Sequence, residues 1–369
     1  MENSSQVSAQ HMVVLGAGLM GRLLACQLAL AGHRVVVFDA GGQGAEKSAA
    51  RAAAAMLAPL AESAVTEAPV VRMGMHGLRR WPELLAQLSG QVYFQQAGSL
   101  VLWHRQDAAE AALFSRQLQA TCQANLDLPQ PQTLDAHGLR EIEPTLDARF
   151  TQGIYLPGEG QLDNHQLLHA LLQQLLAMGV EMHWHTPKAP NDFHPGVGLS
   201  GQPDWVFDCR GLGAQVQWSQ VRGVRGEIIT LHAPEVKLLR PIRLMHPRYP
   251  LYIAPKENSI FLIGATQIET DDQSAVSVRS ALELLSAAYT IDTGFAEARI
   301  VDLVSQCRPA LPDNLPSVRW LGARTLQING LYRHGYLVAP AMLDVVMELF
   351  QQQSSALASS FSLKIEPLS

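Results

Sequence analysis

Three closely spaced glycines near the start of the chain could bind a phosphate group. Gly16 would form a tight turn, Gly18 would let the backbone approach a pyrophosphate, and Gly21 would let a helix pack closely on a strand. Leu19 and Met20 begin that helix, so its free N–H groups and the positive end of its dipole would face the phosphates. The spacing therefore predicts a pyrophosphate site at this turn.

The segments around the glycines follow the order that a dinucleotide site requires. A strand over 12–15 leads into the turn, a helix is predicted over 19–31, and a second strand over 34–38 ends at Asp39. An acid at this distance after Gly21 is typical of a group that binds a ribose 2′-hydroxyl, and it would repel the 2′-phosphate of NADP. The pattern favours a bound dinucleotide other than NADP. The alternative is a glycine-rich turn that binds nothing.

The composition limits the classes of function. With 369 residues, 47% hydrophobic and 16% charged, the chain is predicted to be globular, with two domains or one large two-lobed unit. The net charge of −6 gives no general case for nucleic acid or an anionic membrane as a partner. We see no targeting segment or membrane span and expect a cytoplasmic protein. The four scattered cysteines fit a reducing compartment and have no zinc-site spacing.

A local basic cluster interrupts this acidic balance over residues 237–256. Its members are Lys237, Arg240, Arg243, Arg248 and Lys256. We favour an ordinary solvated face for the cluster. The alternative is a positive entrance for an anionic substrate.

Periodicity and turn signals predict helices and strands along the rest of the chain. Helices are expected over 48–60, with a proline stop at Pro59, and over 69–90, 107–126 and 276–290. A further helix is expected to begin at Asp163 and to be closed by Gly179. Strands are expected over 92–103, several times within 221–268, and over 300–307, where a loop over 308–316 follows. The chain ends in a strand, a glycine turn and a long helix.

This order predicts a mixed α/β fold. We expect a discontinuous Rossmann-type domain, formed by residues 1–88, 148–220 and 300–369, with an inserted β-rich antiparallel substrate domain formed by 89–147 and 221–299. A nicotinamide enzyme would more often keep its dinucleotide domain contiguous. A cofactor domain assembled from three segments favours a flavoprotein, with FAD bound along its full length.

Seven segments, in order, resemble the D-amino-acid oxidase superfamily of FAD enzymes, and within it the glycine oxidases of thiamine-thiazole biosynthesis. They are the opening GAGLMG…FD, AAAMLAPLAE (53–62), VRGVRGE (221–227), LYIAP (251–255), IGAT (263–266), RPALPDNLP (308–316) and GLYRHGYLVAP (330–340). The resemblance spans nearly the whole chain.

The resemblance implies roles for individual residues. The residues that it places near FAD are the ADP-binding Gly16, Gly18, Gly21 and Asp39, then Ala55 and Met56, Gly211, and the run His334, Gly335, Tyr336 and Leu337. Arg308 would bind the substrate carboxylate, because a planar guanidinium holds a carboxylate through two parallel bonds. Tyr252 would help to hold that carboxylate, and Arg333 would approach the flavin or the substrate.

The chain departs from the family pattern at a few positions. Val304 replaces a frequent tryptophan, Ala55 replaces a frequent glycine, and His334 stands where asparagine is common. The histidine could tune the flavin ring or the substrate range. Some relatives attach FAD through a cysteine in the region of Cys307, but we interpret this residue as a small buried strand residue and expect non-covalent FAD.

The implied reaction is the FAD-dependent oxidative deamination of a small amino acid, with glycine as the first candidate, to an imine or glyoxylate with H2O2, in thiamine thiazole synthesis. Dioxygen would be the second substrate, and no general base is compulsory if the amine enters neutral. A D-amino-acid dehydrogenase, a sarcosine-type oxidase, the oxidase half of a tRNA-modifying enzyme and a non-catalytic FAD-containing subunit stay open as alternatives. A homo-oligomer is also left open.

Overall fold

The computed structural model describes residues 9–125, 127–195, 202–245 and 251–368, so Arg248 lies outside the described residues. The strands in these ranges are β1 His11–Leu15, β2 Arg34–Phe38, β3 Met56–Leu57, β4 Phe94–Gln95, β5 Ser99–Leu102, β6 Gln132–Asp135, β7 Gln152–Leu156, β8 Gly160–Leu162, β9 Glu181–His183, β10 Trp205–Asp208, β11 Arg222–His232, β12 Ile242–Leu244, β13 Leu251–Pro255, β14 Ile260–Gly264, β15 Arg299–Ala310, β16 Ser317–Gly322, β17 Thr325–Asn329 and β18 Lys364–Glu366. The α-helices are α1 Leu19–Leu30, α2 Pro59–Ser63, α3 Ala68–Ala86, α4 Ala108–Ala124, α5 Ala136–Ile142, α6 Asn164–Ala177, α7 Val278–Ile291, α8 Gly335–Gln352 and α9 Ala356–Phe361.

One sheet carries the glycine turn, which is the segment from Gly16 to Gly21 that follows β1. Its seven strands run in the order β18-β16-β17-β10-β1-β2-β9, with β17, β10, β1, β2 and β9 parallel. The central strand β1 is an apolar run with four of its five residues buried, as expected for a parallel strand covered on both faces. Because parallel strands end at the same edge, the turn after β1 and the turn after β10 lie side by side.

The predicted βαβ unit is confirmed almost to the residue. Helix α1 begins at Leu19 as predicted and ends one residue early, and β2 has the predicted bounds. The helix predicted to follow Asp163 is α6, where the Asp163 side chain accepts a hydrogen bond from the Gln166 N–H at 2.8 Å. Gly179, which follows this helix, has a φ of +74°.

The second large sheet is the expected β-rich antiparallel one. Its eight strands run in the order β15-β11-β14-β13-β12-β5-β7-β6, and β5 with β12 is the parallel pair in this ladder. Tyr252 on β13 is opposite Gly264 on β14, and Arg308 on β15 is opposite Val224 on β11. One sheet therefore positions both residues that were expected to hold a carboxylate.

The strand pairing differs from the predicted domain boundaries in two places. Strand β15 was assigned to the cofactor domain, but it pairs with β11 along its length. Strand β7 was also assigned there, but it pairs with β5 and β6. These long-range antiparallel pairings have no signal within either segment. The division of the chain into two domains itself stays a prediction.

Two local predictions were wrong. The helix expected over 48–60 is absent, because Ala55 has a φ of +51° and the helix begins at Pro59 instead of ending there. Proline suits the first turn of a helix, where its missing N–H has no intrahelical partner. The loop expected over 308–316 starts later, since β15 continues to Ala310. Pro309 is tolerated because β15 is an edge strand.

Candidate active site

A single cavity of about 600 Å³ brings the two predicted sites together. Its walls include the glycine turn, Asp39, residues 45 and 47–50, residues 52–56, and the turn after β10. They also include the side chains expected to bind substrate, Tyr252, Arg308 and Arg333. A ligand in this cavity can contact the dinucleotide turn and the candidate substrate residues at once.

The glycine turn has the geometry that its sequence predicts. Gly16 has a φ of +93°, and a Cβ there would lie 2.7 Å from the Cys209 carbonyl oxygen. A Cβ on Gly21 would overlap the Gly16 carbonyl oxygen. Gly18 is the N-cap of α1 and provides no side-chain cap, so the first N–H groups of the helix stay available to a phosphate.

Asp39 is oriented by backbone donors. Its two carboxylate oxygens accept hydrogen bonds from the Ala17 N–H at 2.5 Å and from the Gly41 N–H at 2.6 Å. A carboxylate has about four acceptor positions, so each oxygen can accept a further bond from a ribose hydroxyl. The acid is thus fixed beside the glycine turn, where the pattern placed it.

Arg22 is a supporting residue that the sequence analysis missed. Its side chain is buried and donates to the carbonyl oxygens of Ala17, Leu168 and Gln43 at 2.6–2.7 Å. Burial lowers the pKa of this guanidinium. Through these bonds, Arg22 connects the glycine turn to α6 and to the loop that follows β2. An arginine in the middle of an apolar helix was the signal that could have revealed it.

Arg308 brings a positive charge to the cavity that no carboxylate of the described residues neutralises. One of its terminal nitrogens donates to the carbonyl oxygens of Thr266 at 3.2 Å and Arg225 at 3.4 Å. Within the described ranges it has no carboxylate oxygen within 4.0 Å. Burial lowers its pKa to about 10, which leaves it protonated at neutral pH.

Arg333 has a different electrostatic environment. Its Nη2 donates to Glu62 Oε2 at 2.7 Å, its Nη1 donates to Gln267 Oε1 at 3.3 Å, and its Nε is buried with no partner. Burial would lower the pKa of Arg333, but the ion pair with Glu62 outweighs it and raises the pKa. Burial likewise opposes ionisation of Glu62, yet Arg333 and its neighbours keep that pKa below its usual value.

Tyr252 connects this ion pair to a second buried arginine. Its hydroxyl donates to Glu62 Oε1 at 3.3 Å and accepts from Arg243 at 3.2 Å. Burial raises the pKa of the phenol, so it stays neutral and can donate. Tyr332, whose role the sequence analysis did not foresee, has a φ of +52° and a buried hydroxyl without a partner on the cavity wall.

The remaining predicted cofactor residues divide into two groups. Those on the cavity wall are Leu19, Met20, Ala55, Met56, Gly211, Gly335 and Tyr336. His334 lies behind the wall, with Nδ1 3.6 Å from Glu62 Oε2, and burial lowers its pKa to about 4. Leu337 is also away from the wall, because its side chain packs on Gly74 of α3.

Two of the four described members of the basic cluster, Lys256 and Arg243, are buried and do not belong to the solvated face that we favoured, whereas Lys237 is exposed. Lys256 is 7% exposed, and its Nζ donates to Ala54 O at 2.9 Å, Leu162 O at 2.8 Å and Gln161 Oε1 at 3.0 Å. Burial lowers its pKa to about 7. Arg243 is 3% exposed. Lys256 can be buried because backbone and amide oxygens from distant segments accept its hydrogen bonds, which charge content alone does not reveal.

Cys307 and His183 have ordinary structural surroundings. The buried Cys307 thiol lies 3.3 Å from the Asp272 carbonyl oxygen, and burial raises its pKa, so it is a poor nucleophile. His183 pairs with Glu181 at 2.7 Å on an exposed strand face. Across the described ranges there is no group of three residues suited to a metal, and no helix has the length and apolar character to span a membrane.

Comparison with known proteins identifies the family to which this chain belongs. Residues 11–349 match the family of FAD dependent oxidoreductases called DAO. The chain belongs to that family. It is 38% identical over 349 residues to a Rhizobium etli protein provisionally named thiamine biosynthesis oxidoreductase ThiO, with 93% of this chain and 97% of the relative covered. It is 27% identical over 365 residues to a glycine oxidase of Geobacillus kaustophilus, with 93% of each covered.

Solved structures agree on the fold. The crystal structure of the Geobacillus kaustophilus glycine oxidase superposes with a TM-score of 0.81 at 24% identity, and covers 96% of this chain and 99% of its own. The iminodiacetate oxidase of Chelativorans sp. BNC1 superposes with a TM-score of 0.79 at 21% identity, and covers 97% and 100%.

The cavity of this FAD-dependent oxidoreductase fits its cofactor on structural grounds. The uncapped N-terminus of α1 and the carboxylate of Asp39 suit a pyrophosphate and a ribose. The small side chains of residues 52–55 leave room for a flat ring. The N-terminus of α8, at Gly335, also has no side-chain cap and lies on the same wall, so its dipole would favour negative charge on a bound ring.

Proposed function

We propose that this oxidoreductase deaminates a small amino acid, with glycine as the preferred substrate, and that dioxygen is the electron acceptor. The observation that carries the proposal is the protonated Arg308 guanidinium on the cavity wall, with no carboxylate partner in the described part of the chain. A half-buried cation of this kind costs free energy unless an anion pairs with it. A substrate carboxylate is the anion that an amino acid supplies.

The competing cation is Arg333, but its charge is already neutralised by an ion pair with Glu62. Its pairing with Glu62 at 2.7 Å leaves Arg308 as the better group for the substrate carboxylate. Arg308 would bind that carboxylate through two parallel N–H donors, and Tyr252, whose single O–H is donated to Glu62, would border the bound carboxylate. Together these residues would fix the position of the substrate Cα and nitrogen.

In this proposal, the protein binds and orients the substrate and favours the neutral form of its amine. When bound, FAD supplies a ring that accepts a hydride and returns two electrons to dioxygen as H2O2. Loss of hydride from Cα and of a proton from nitrogen converts the amine to an imine, and water then gives glyoxylate and ammonia. Burial lowers the pKa of Arg308 on this wall, and the same desolvation would favour the neutral amine.

The relatives support the pathway assignment. One is named for thiamine biosynthesis and another for glycine oxidation, and both align with nearly the whole chain. We infer that the imine serves thiamine thiazole synthesis. We also propose a cytoplasmic location and non-covalent FAD, supported by four free cysteines and by the raised pKa of Cys307.

A substrate panel tests the proposal. The FAD-loaded protein is mixed without air with glycine, sarcosine, D-alanine and ethylamine, and loss of flavin absorbance is followed; peroxide is then measured in air. We expect glycine to bleach the flavin fastest and to give stoichiometric peroxide. Quinone reduction without peroxide would identify a dehydrogenase. A flavin that no amine bleaches would identify a non-catalytic subunit, and either result overturns the proposal.

A further inference from the structure

Three guanidinium groups among the described residues line the cavity, those of Arg210, Arg308 and Arg333, and the protein neutralises two of them. Arg210 is paired with Asp208 at 2.8 Å. Arg333 is paired with Glu62, whereas Arg308 contacts backbone carbonyl oxygens and no carboxylate of the described residues. Both line the same cavity. Among the described residues, the cavity therefore offers one guanidinium without a carboxylate partner, that of Arg308.

Glu62 is held firmly in this role. It lies in α2, its side chain is 7% exposed, and both of its oxygens are used. Oε2 accepts from Arg333 and lies 3.6 Å from His334 Nδ1, and Oε1 accepts from the Tyr252 hydroxyl. Arg243, which stands behind Tyr252, also contributes positive potential at this carboxylate but does not line the cavity. These contacts hold the Glu62 carboxylate beside Arg333 at the cavity wall.

We propose that Glu62 restricts this site to monocarboxylate amines, by neutralising the guanidinium that would otherwise bind a second carboxylate. The inference rests on the proposed function, because it assigns the substrate carboxylate to Arg308. A dicarboxylate bound at Arg308 would place its second carboxylate near the Glu62–Arg333 pair, where it finds no net positive charge and is repelled by Glu62. Specificity here comes from an unfavourable charge contact as well as a favourable one.

Glu62→Gln is the sharpest test. It keeps the size of the side chain and an acceptor for Tyr252, but it removes the charge that neutralises Arg333. Acetate and malonate, neither of which is an amine, are titrated into the FAD-loaded protein, and their dissociation constants are read from the flavin spectrum. We expect the wild type to bind malonate no more than about tenfold tighter than acetate, which corresponds to about 1.4 kcal/mol. In Glu62→Gln the malonate-to-acetate affinity ratio should rise at least tenfold.

Two further variants separate charge release from other effects. Glu62→Gln combined with Arg333→Gln should lose the gain for malonate, because the released guanidinium is then absent. Glu83→Gln removes one negative charge at an exposed ion pair with Arg80 on α3, and should leave the ratio unchanged. With amine substrates, Glu62→Gln should also shift kcat/KM from glycine toward iminodiacetate.

Several results would overturn the inference. These are an unchanged ratio in FAD-loaded Glu62→Gln, a gain that persists in the double variant, or a wild type that already binds malonate more than tenfold tighter than acetate. If Glu62→Gln does not retain FAD, Glu62→Ala carries the same expectation, and the wild-type ratio still decides. Failure of the proposed function is distinguishable, because it would appear as no oxidation of any amine while the acetate and malonate titrations still report the charge at this wall.

Discussion

The two ends of the cavity are built in opposite ways. At the glycine turn, the contacts lie within one βαβ unit, and the Ala17 N–H reaches Asp39 across 22 positions. The arginine wall is the part of the cavity wall formed by Tyr252, Arg308 and Arg333. Here Glu62 and Arg333 meet across 271 positions, and Tyr252 and Arg308 come from two further strands. The first end uses backbone groups, and the side chains between its glycines are buried and apolar. The second depends on side-chain charges that only the assembled fold brings together.

The largest effect is expected at the glycine turn, from Gly21→Ala. A Cβ there overlaps the Gly16 carbonyl oxygen, so α1 must move away from β1. We expect the protein to be purified without FAD and to lose more than about 3 kcal/mol of folding stability. Flavin content and thermal unfolding of the apoprotein measure this. Gly322→Ala, where the nearest atom is 3.7 Å from the new Cβ, is the matched control. Stoichiometric FAD in Gly21→Ala would contradict the packing argument.

At the arginine wall, Arg308→Ala should leave FAD binding intact but lower kcat/KM for glycine by roughly a hundredfold or more. A charge-assisted bond contributes about 1.5–3 kcal/mol, and lost orientation adds to this. Arg308→Lys should recover part of the activity, because an ammonium cannot reproduce the two-pronged contact. The alanine variant should also discriminate poorly between glycine and ethylamine. Unchanged kcat/KM would move the carboxylate site to Arg333.

Asp39→Ala sharpens the contrast between binding and chemistry. Loss of the ribose contact should weaken FAD binding by about 1–3 kcal/mol, whereas turnover at saturating FAD should be little affected, because the carboxylate lies beside the glycine turn. Asp39→Asn should be milder, since it keeps an acceptor for one of the two backbone N–H groups. The measurements are FAD titration and kcat at several FAD concentrations. A thousandfold loss of turnover that FAD cannot restore would assign Asp39 another role.

The smallest effect at neutral pH is expected at His334, which lies behind the arginine wall and acts on stability only below pH 6.5. Its folded-state pKa of about 4 lies below the value of about 6.5 for an unfolded chain. The unfolded state therefore binds more protons between these values, and stability falls as the pH decreases from about 6.5 to 4. His334→Asn should flatten this part of the stability profile by up to about 1.4 kcal/mol per pH unit. Denaturant unfolding at several pH values tests it, and identical profiles would exclude a buried neutral histidine.

Some of the site could be predicted from the sequence because its signals are local. The glycine spacing, the apolar strand β1 and the capping Asp163 each act within a few residues, and the structure has them where they were expected. Arg308 and Tyr252 were found in another way. A single arginine in an apparent loop carries no signal by itself, so their assignment came from the order of seven family motifs and not from residue type.

The sequence by itself determined the βαβ unit, the mixed α/β class and the identity of the cofactor turn, because backbone geometry there follows from neighbouring residues. Only the tertiary structure decided which cations are solvated, buried or neutralised. Lys256 was predicted to lie on a surface and is buried. Arg333 was expected near the flavin or the substrate, and the structure adds that Glu62 neutralises its charge. The physical reason is that the effective charge of a side chain depends on burial and on partners hundreds of positions away, and neither is encoded next to it in the chain.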